Sequence, residues 1–322
     1  MIVRPQITVA QLIDRWKAEE DPSQRQYATF KIFDRKNNVN VETSCAPGFI
    51  SNYFQDNNLP WEISPAFFSP DVLHRFKADP ERFTLEDRSI TCRGTWHLKS
   101  YDINEAGQVH AYIGDLANLP YKQQLYWQSF NEWPRGSIST RAYTSDILGE
   151  WTTEYDALWS LKRKIQSLDK AAPPWWNPRG DAVAGAVRYP ATDSPKEWAD
   201  EVMALDQLLV EGFATRALQD VAQVLCRELE PNNWGSLKLL HEVLVGIGMN
   251  ESIVKPCLDP MSRLHRLRTE IKGHATVSKK RAAESDARAR HGNFRAHFTN
   301  LATECDMALG KVMAALDFVV VA

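Results

Sequence analysis

The stretch Asp259-Pro-Met-Ser-Arg-Leu-His-Arg-Leu-Arg-Thr-Glu-Ile-Lys-Gly-His274 carries the signals of one helix that ends just before a histidine. Asp259 is a suitable N-cap, and Pro260 suits the first helical position. Gly273 suits the left-handed residue that follows a helix C-terminus. These signals predict a helix from about Pro260 to Lys272.

The faces of this predicted helix differ in chemistry. Apolar side chains recur at helical spacing and predict a buried face, formed by Met261, Leu264, Leu267 and Ile271. The remaining faces carry the basic side chains of Arg263, His265, Arg266, Arg268 and Lys272. We therefore expect one side of the helix to pack against a core and another to be cationic.

Arg268 and His274 are the two side chains of this stretch with the clearest chemical potential. On an uninterrupted helix, residues six apart lie roughly 120° from superposition, because each residue turns the helix by about 100°. A break at Gly273 allows the chain to fold His274 back toward the last turn or to present it across an interface. The glycine therefore allows the two side chains to work as a pair.

The net charge is distributed unevenly along the chain. Between Lys255 and His297 there are eleven Lys and Arg residues against four Asp and Glu residues, a net charge of +7. The whole chain carries −3, so the remainder carries −10. Such asymmetry is typical of an anion-binding surface, and a solvated pair of charge-rich helices would also produce it.

The second half of the chain reads as an all-helical domain. Ser194-Pro-Lys-Glu197 is a capping box that opens an amphipathic pattern extending to about Leu229. Further helices are predicted over residues 234–249, over the stretch quoted above, and over residues 293–319. Four principal helices in this length predict a four-helix bundle.

Residues 1–170 predict an α+β domain. A short helix is expected over residues 9–19, and a hairpin over residues 27–45. A capped helix is expected to begin at Ser69, and a further pair of strands is expected over residues 89–103 and 109–114. The aromatic residues from Tyr121 to Phe130 suit a helix packed on a sheet better than a platform for stacking bases.

No catalytic group stands out in this first half. His97, His110 and Asp115 are isolated from one another in sequence, so we expect structural roles for them. Residues 171–193 are rich in Pro and Gly and contain a Trp pair, which indicates a linker or arm that packs against something. The expected domains are therefore 1–170, 171–193 and 194–322.

Composition and cysteine usage narrow the class of protein further. The chain has 322 residues, and no apolar run or N-terminal pattern predicts a membrane span or a signal peptide. The five cysteines are scattered without a Cys-x-x-Cys pair and read as reduced thiols. We expect a soluble cytoplasmic protein with no membrane partner, and we predict neither a cofactor nor a metal site.

Arg268-Thr-Glu-Ile-Lys-Gly-His274 fits a known signature, an arginine followed by four to six residues and a histidine at the end of the third of four helices. In this respect residues 194–322 resemble the HEPN family of helical bundles, which includes many ribonucleases of toxin and antiphage systems. Many active members place Asn, Asp or His directly after the arginine, whereas this chain has Thr269, whose hydroxyl also donates a hydrogen bond. The resemblance gives no account of residues 1–170.

The resemblance implies metal-independent cleavage of single-stranded RNA at a site formed where two bundles dimerise. The chemistry agrees with the side chains, because a histidine titrates near neutral pH and can exchange a proton with a ribose 2′-OH or a leaving 5′-oxygen. Arg268 would bind the phosphate oxygens as negative charge grows there. The expected catalytic residues are Arg268 and His274, supported by Thr269, His265 and Lys272.

Basic residues around this pair are expected to hold the RNA backbone: Lys279, Lys280, Arg281, Arg288 and Arg290. The expected partners are single-stranded RNA, a second copy of the chain, and a regulatory or antitoxin protein. The first domain would sense or regulate.

Two alternatives remain open at this stage. The bundle is a catalytically silent module for dimerisation or nucleotide binding, or the function lies in ligand or nucleic-acid binding by the first domain.

Overall fold

The structure, a computed structural model, describes residues 25–150, 155–225, 234–272 and 276–317. The helix predicted over residues 9–19 lies outside these ranges. The chain divides into two compact units, Met1–Thr152 and Thr153–Ala322. The first is rich in antiparallel strands and the second is helical, as the sequence predicts in outline. The division comes before residues 171–193, where we expected the linker.

The first unit contains two antiparallel sheets. One has the strand order β2-β1-β3-β8-β7, with β9 paired to β3, and the other has the order β4-β5-β6. The strands are β1 (Thr29–Asp34), β2 (Val39–Ser44), β3 (Pro65–Phe68), β4 (Phe83–Leu85), β5 (Ser89–Cys92), β6 (Trp96–Lys99), β7 (Asp102–Ile103), β8 (Val109–Tyr112) and β9 (Asn131–Glu132). The short helices are α1 (His74–Ala78), α2 (Ile113–Ala117), α3 (Tyr121–Gln128) and α4 (Thr140–Ala142).

The predicted hairpin is confirmed, with Thr29 opposite Ser44 and Asp34 opposite Val39. Asp34 closes it, because its carboxylate accepts from the Lys36 backbone N–H at 2.9 Å and from the Asn37 side chain at 2.7 Å. The single long strand expected before residue 104 is wrong: β5 and β6 pair in the second sheet, and only β7 joins β8.

The aromatic segment packs as a helix on the first sheet, as expected. Trp127 of α3 is fully buried and meets Phe68 of β3 edge to face, with ring centroids 4.8 Å apart. The Tyr126 hydroxyl donates to the Val72 carbonyl at 3.0 Å. Ser69 caps the helical turn that leads into α1 by accepting from the Asp71 backbone N–H.

The second unit is built from helices throughout its described residues. They are α5 (Ala157–Ala171), α6 (Gly180–Ala186), α7 (Pro195–Leu209), α8 (Thr215–Val224), α9 (Ser236–Gly246), α10 (Glu251–Lys272), α11 (Val277–His291) and α12 (Phe294–Asp317). One apolar core runs through them and includes Trp198, Leu205, Leu264 and Phe298. α5 packs on α12, α7 packs on α10, and α12 also contacts both α7 and α10.

The helix predicted from Pro260 is longer than expected. It begins at Glu251, where Asn250 accepts a hydrogen bond from the Ser252 backbone N–H at 2.9 Å. Asp259 is therefore an interior residue, not an N-cap, and pairs with Arg263 at 2.8 Å. Burial of Val254, Cys257 and Leu258 continues the apolar stripe upstream of Pro260, so core packing outweighs the helix-breaking tendency of the prolines.

The expected continuous helix up to Leu229 is also wrong. The N-cap at Ser194 is confirmed, because its hydroxyl accepts from the Glu197 backbone N–H, but the Glu197 carboxylate accepts from the Ala191 and Thr192 N–H groups and does not close a capping box. α7 ends at Leu209, and a 3₁₀ turn at Val210–Gly212 precedes α8. Residues 171–193, the expected linker, pack directly against this break. Trp176 lies over Gly212, the Asn177 backbone N–H donates to the Gly212 carbonyl at 2.7 Å, and the Ala214 N–H donates to the Trp175 carbonyl at 2.8 Å.

Residues 171–193 are thus part of the helical core, since Trp175 and Trp176 are both buried. α5 belongs to the same core through Leu161 and Ile165. The sequence did not predict α11, because this helix buries only Ala287 and its sequence therefore shows no apolar period.

The contact between Gly212 and Trp176 should make residue 212 intolerant of any side chain. A Cβ added there would lie 2.2 Å from Trp176 Cη2. We expect Gly212→Ala to destabilise the helical unit by about 1–3 kcal/mol or more, through overpacking. Thermal unfolding followed by circular dichroism measures the effect.

Gly185→Ala is the matched control, because open space surrounds Gly185 within α6. Alanine there should be neutral or stabilise by up to about 1 kcal/mol. Equal loss of stability in both variants would contradict the packing argument.

Candidate active site

Arg268 lies one turn before Lys272, the last residue of α10. Its side chain is 34% exposed. The guanidinium lies between two carboxylates: Nε is 3.7 Å from Asp206 Oδ2, and Nη2 is 3.7 Å from Glu211 Oε1. Both distances exceed hydrogen-bonding range, so these contacts are ion pairs that leave its N–H groups able to bind an anion.

His265 lies one helical turn before Arg268 and contacts the same carboxylate. Its Nδ1 is 3.1 Å from Asp206 Oδ1 and 3.3 Å from Oδ2. The His265 side chain is 48% exposed, whereas that of Asp206 is fully buried. The buried carboxylate therefore fixes the imidazole at Nδ1, and the rest of the ring is partly exposed to solvent.

Asp206 is held in place by the core around it. It lies on α7 between the buried residues Leu205 and Leu209, and α7 packs directly on α10. Burial raises the pKa of Asp206, and the neighbouring His265 and Arg268 offset that rise only in part. A buried carboxylate is costly without partners, so these two side chains stabilise its charged form.

The other expected supporting residues are committed to local contacts. The Thr269 hydroxyl donates to the His265 carbonyl at 3.0 Å, one turn back along the helix. Lys272 pairs with Asp200 of α7. Thr269 thus braces the backbone beside His265, and Lys272 ties α10 to α7 a turn beyond Arg268.

Gly273 and His274 lie outside the described residues. The pairing of Arg268 with His274 therefore stays a prediction.

The expected RNA-binding residues divide into two groups on α11. Lys279, Lys280 and Arg281 are exposed and form no ion pair among the residues that the structure describes. Arg288 instead pairs with Asp193 at 3.1 Å and stacks over a phenylalanine ring, and Arg290 pairs with Asp286 at 2.8 Å. The first three residues are thus the more available cations.

Sequence reasoning missed Asp206 and Glu211. Asp206 had a detectable signal, because it follows Val202 by four residues and so lies on the face that the apolar period predicts to be buried. A carboxylate at a buried position calls for a partner. Glu211 had no comparable signal, since it lies in the 3₁₀ turn that the sequence did not predict.

The first unit holds a second polar cluster, around residues that look isolated in sequence. Asp102 is buried and accepts from the Ser139 hydroxyl at 2.7 Å, from the Ile103 backbone N–H at 2.8 Å, and twice from Arg141 at 2.7 and 3.0 Å. The Ser139 backbone N–H donates to His110 Nε2 at 3.1 Å. The sequence position of His110 had suggested that it is isolated, but the structure places it in this cluster.

The geometry of this cluster makes it structural. The four donors occupy the acceptor positions of Asp102. Burial raises the pKa of Asp102, but Arg141 lowers it by more, so the net shift of this pKa is downward. The Ser139 oxygen also accepts from the Ala142 backbone N–H and caps α4, and its proton goes to a carboxylate. Such a buried serine is not an activated nucleophile.

Three further features of the described ranges bear on the chemistry of the protein. They contain no group of three or more His, Cys, Asp and Glu side chains arranged to hold a metal ion. Four cysteines, Cys45, Cys92, Cys257 and Cys305, are buried free thiols. No described helix combines the length and apolar character that crossing a membrane requires.

Comparisons of the chain with known proteins return no relative. No family model matches it, and neither a curated protein nor a solved structure does so. The site must therefore be judged on its own chemistry.

Burial of His110 predicts a pH-dependent contribution to the stability of the first unit. Burial lowers the pKa of His110 from 6.5 to about 4, so between these values the unfolded state binds a proton that the folded state excludes. Stability from this residue is lost as the pH falls through that window, by at most about 1.4 kcal/mol per pH unit. His110→Gln removes the effect.

The free-energy difference between the wild type and His110→Gln should therefore narrow as the pH falls from 6.5 to 4. Hydrogen-exchange protection of the β8 amides in the full-length chain measures it. Ile32→Val, a buried change in the same sheet without a titrating group, should show a constant difference. A constant difference for His110→Gln as well would contradict the prediction.

Proposed function

We propose that the protein is a metal-independent endoribonuclease of the HEPN type, acting on single-stranded RNA as a toxin or defence effector. The observation that carries this proposal is the grouping of Arg268 and His265 on a buried carboxylate at the end of α10. His274 follows Lys272, the last described residue of that helix, by two positions. A phosphate-binding group and titratable groups are thus concentrated at one helix end.

The arrangement of helices also supports the proposal. Four helices, α5, α7, α10 and α12, pack on one another in the manner described above, and we propose that they form the HEPN-like bundle. These four helices are not the four that the sequence predicted, since α5 takes the place of the helix predicted over residues 234–249. In the proposed bundle, as in the predicted one, the helix that carries Arg268 is the third of the four.

The proposed reaction needs no metal ion. Arg268 presents a planar, permanently charged fork to the phosphate oxygens, where negative charge grows during attack. Glu211, whose side chain is 43% exposed, is the partner that a phosphate displaces most readily. Attack by the 2′-oxygen breaks the bond from phosphorus to O5′ and gives a 2′,3′-cyclic phosphate, so DNA is not a substrate.

A second copy of the chain is proposed to complete the site, as in the family that the sequence resembles. The RNA backbone would lie along the exposed cations Lys279, Lys280 and Arg281 of α11. The strand-rich first unit is proposed to sense or regulate, with a regulatory or antitoxin protein as partner.

Cleavage of single-stranded RNA by the purified full-length protein, with EDTA present, tests the enzyme. We expect Arg268→Ala and His274→Ala each to lower the cleavage rate by about 10²-fold or more, since each removes a charge or proton-transfer contribution of that size. The product should carry a 2′,3′-cyclic phosphate, and a 2′-deoxy substrate should stay intact.

Arg266→Ala is the control, because Arg266 is exposed on the same helix and lies outside the proposed site. It should cleave at the wild-type rate. Intact RNA after incubation with a wild-type protein that still dimerises would favour a silent dimerisation module instead.

The salt dependence of binding tests the proposed RNA path. Loss of one phosphate contact to single-stranded RNA should lower the slope of log K against log salt by about 0.7. The combined variant Lys279→Ala, Lys280→Ala, Arg281→Ala should therefore lower it by about 2. Fluorescence anisotropy with a 2′-deoxy-substituted RNA measures the slope without cleavage.

The control for this path is Glu284→Gln on the same helix, which removes no cation and should not lower the slope. An unchanged slope in the combined variant would show that the RNA does not bind along α11.

A further inference from the structure

Attack by a ribose 2′-hydroxyl moves two protons. One leaves the 2′-oxygen as the bond from O2′ to phosphorus forms, and one reaches O5′ as the bond from phosphorus to O5′ breaks. The signature of one arginine and one histidine supplies a single titratable group for these transfers. The structure places another imidazole beside the arginine.

The contact with Asp206 determines which nitrogen of His265 can react. A carboxylate accepts hydrogen bonds, so its two oxygens at 3.1 and 3.3 Å hold the proton on Nδ1. The neutral ring then carries its lone pair on Nε2. With the side chain 48% exposed, this nitrogen is the one that a substrate can reach.

Arg268 fixes where the phosphate would lie relative to this nitrogen. His265 and Arg268 are three residues apart on one helix and therefore share a face. Both contact the same buried carboxylate, which aligns them further. A phosphate bound by Arg268 is thus adjacent to the exposed edge of His265.

We propose that His265 is a proton-transfer residue of this ribonuclease and that Asp206 is its positioning residue. His265 Nε2 takes the proton of the 2′-hydroxyl as O2′ bonds to phosphorus. The bond to O5′ breaks, and the leaving oxygen takes a proton from a second acid or from water. The assignment rests on the proposed ribonuclease function and adds a second imidazole to it.

The alternative role for His265 is structural, as a partner that stabilises a buried carboxylate. His265→Gln separates the two roles, because a glutamine amide can still donate a hydrogen bond to Asp206 but cannot carry a proton at neutral pH. Single-turnover cleavage by the full-length protein, with folding checked by circular dichroism, compares this variant with His265→Ala.

We expect His265→Gln and His265→Ala to be equally slow, by about 10²–10⁴-fold, with binding of a 2′-deoxy-substituted RNA unchanged. Free imidazole should restore part of the rate to the folded His265→Ala protein, because the position is open to solvent. Asp206→Asn should slow cleavage and change its pH profile, since the ring loses the carboxylate that orients it.

His241→Ala is the matched control, since His241 also contacts a carboxylate, that of Glu242 at 3.4 Å, on α9. It should cleave at the wild-type rate. If His265→Gln cleaves like the wild type, or if His265→Ala gains nothing from imidazole, the proton-transfer assignment is overturned while the ribonuclease stands. If the wild type itself leaves RNA intact, both proposals fall together.

Discussion

The helical unit depends on the packing of α10 against α7 and α12. Apolar side chains along α10, from Val254 to Ile271, are buried in the core of the helical unit. Their burial is worth on the order of 1.5–3 kcal/mol for each large side chain, whereas an interior proline costs about 3 kcal/mol. The core contact therefore outweighs Pro256 and Pro260 and keeps the helix continuous.

This packing also explains why a carboxylate is buried beside the proposed site. Asp206 occupies a core-facing position of α7 and is fully shielded from bulk solvent. His265 and Arg268 lie opposite on α10, so the apolar contact brings acid and bases together. The same interaction that joins the helices thus orients the imidazole and locates the guanidinium.

The two polar clusters of the protein contrast in a way that guides their interpretation. Around Asp102 the carboxylate has its hydrogen-bond donors inside the fold, and the serine and histidine are buried. Around Asp206 the carboxylate is buried, but the basic side chains that it holds reach solvent. A carboxylate whose donors are all interior favours stability, whereas exposed side chains held by a buried carboxylate can meet a substrate.

Local signals in the sequence determine much of the fold. The hairpin closed by Asp34, the turn capped by Ser69 and the start of α7 at Ser194 follow from alternation and capping within a few residues. The apolar period likewise predicts most helices of the second unit. These features can be predicted from the sequence because hydrogen bonds and side-chain spacing within one element depend only on neighbouring residues.

Only the tertiary structure decides the rest. The turn at Gly212 packs against Trp176, which is 36 positions earlier in the chain, and the pairing of Asp206 with His265 spans 59 residues. The cluster of His110, Asp102 and Ser139 likewise joins three separate segments. No local pattern encodes such contacts, because they form only when whole helices and strands pack and bring distant residues to the same place.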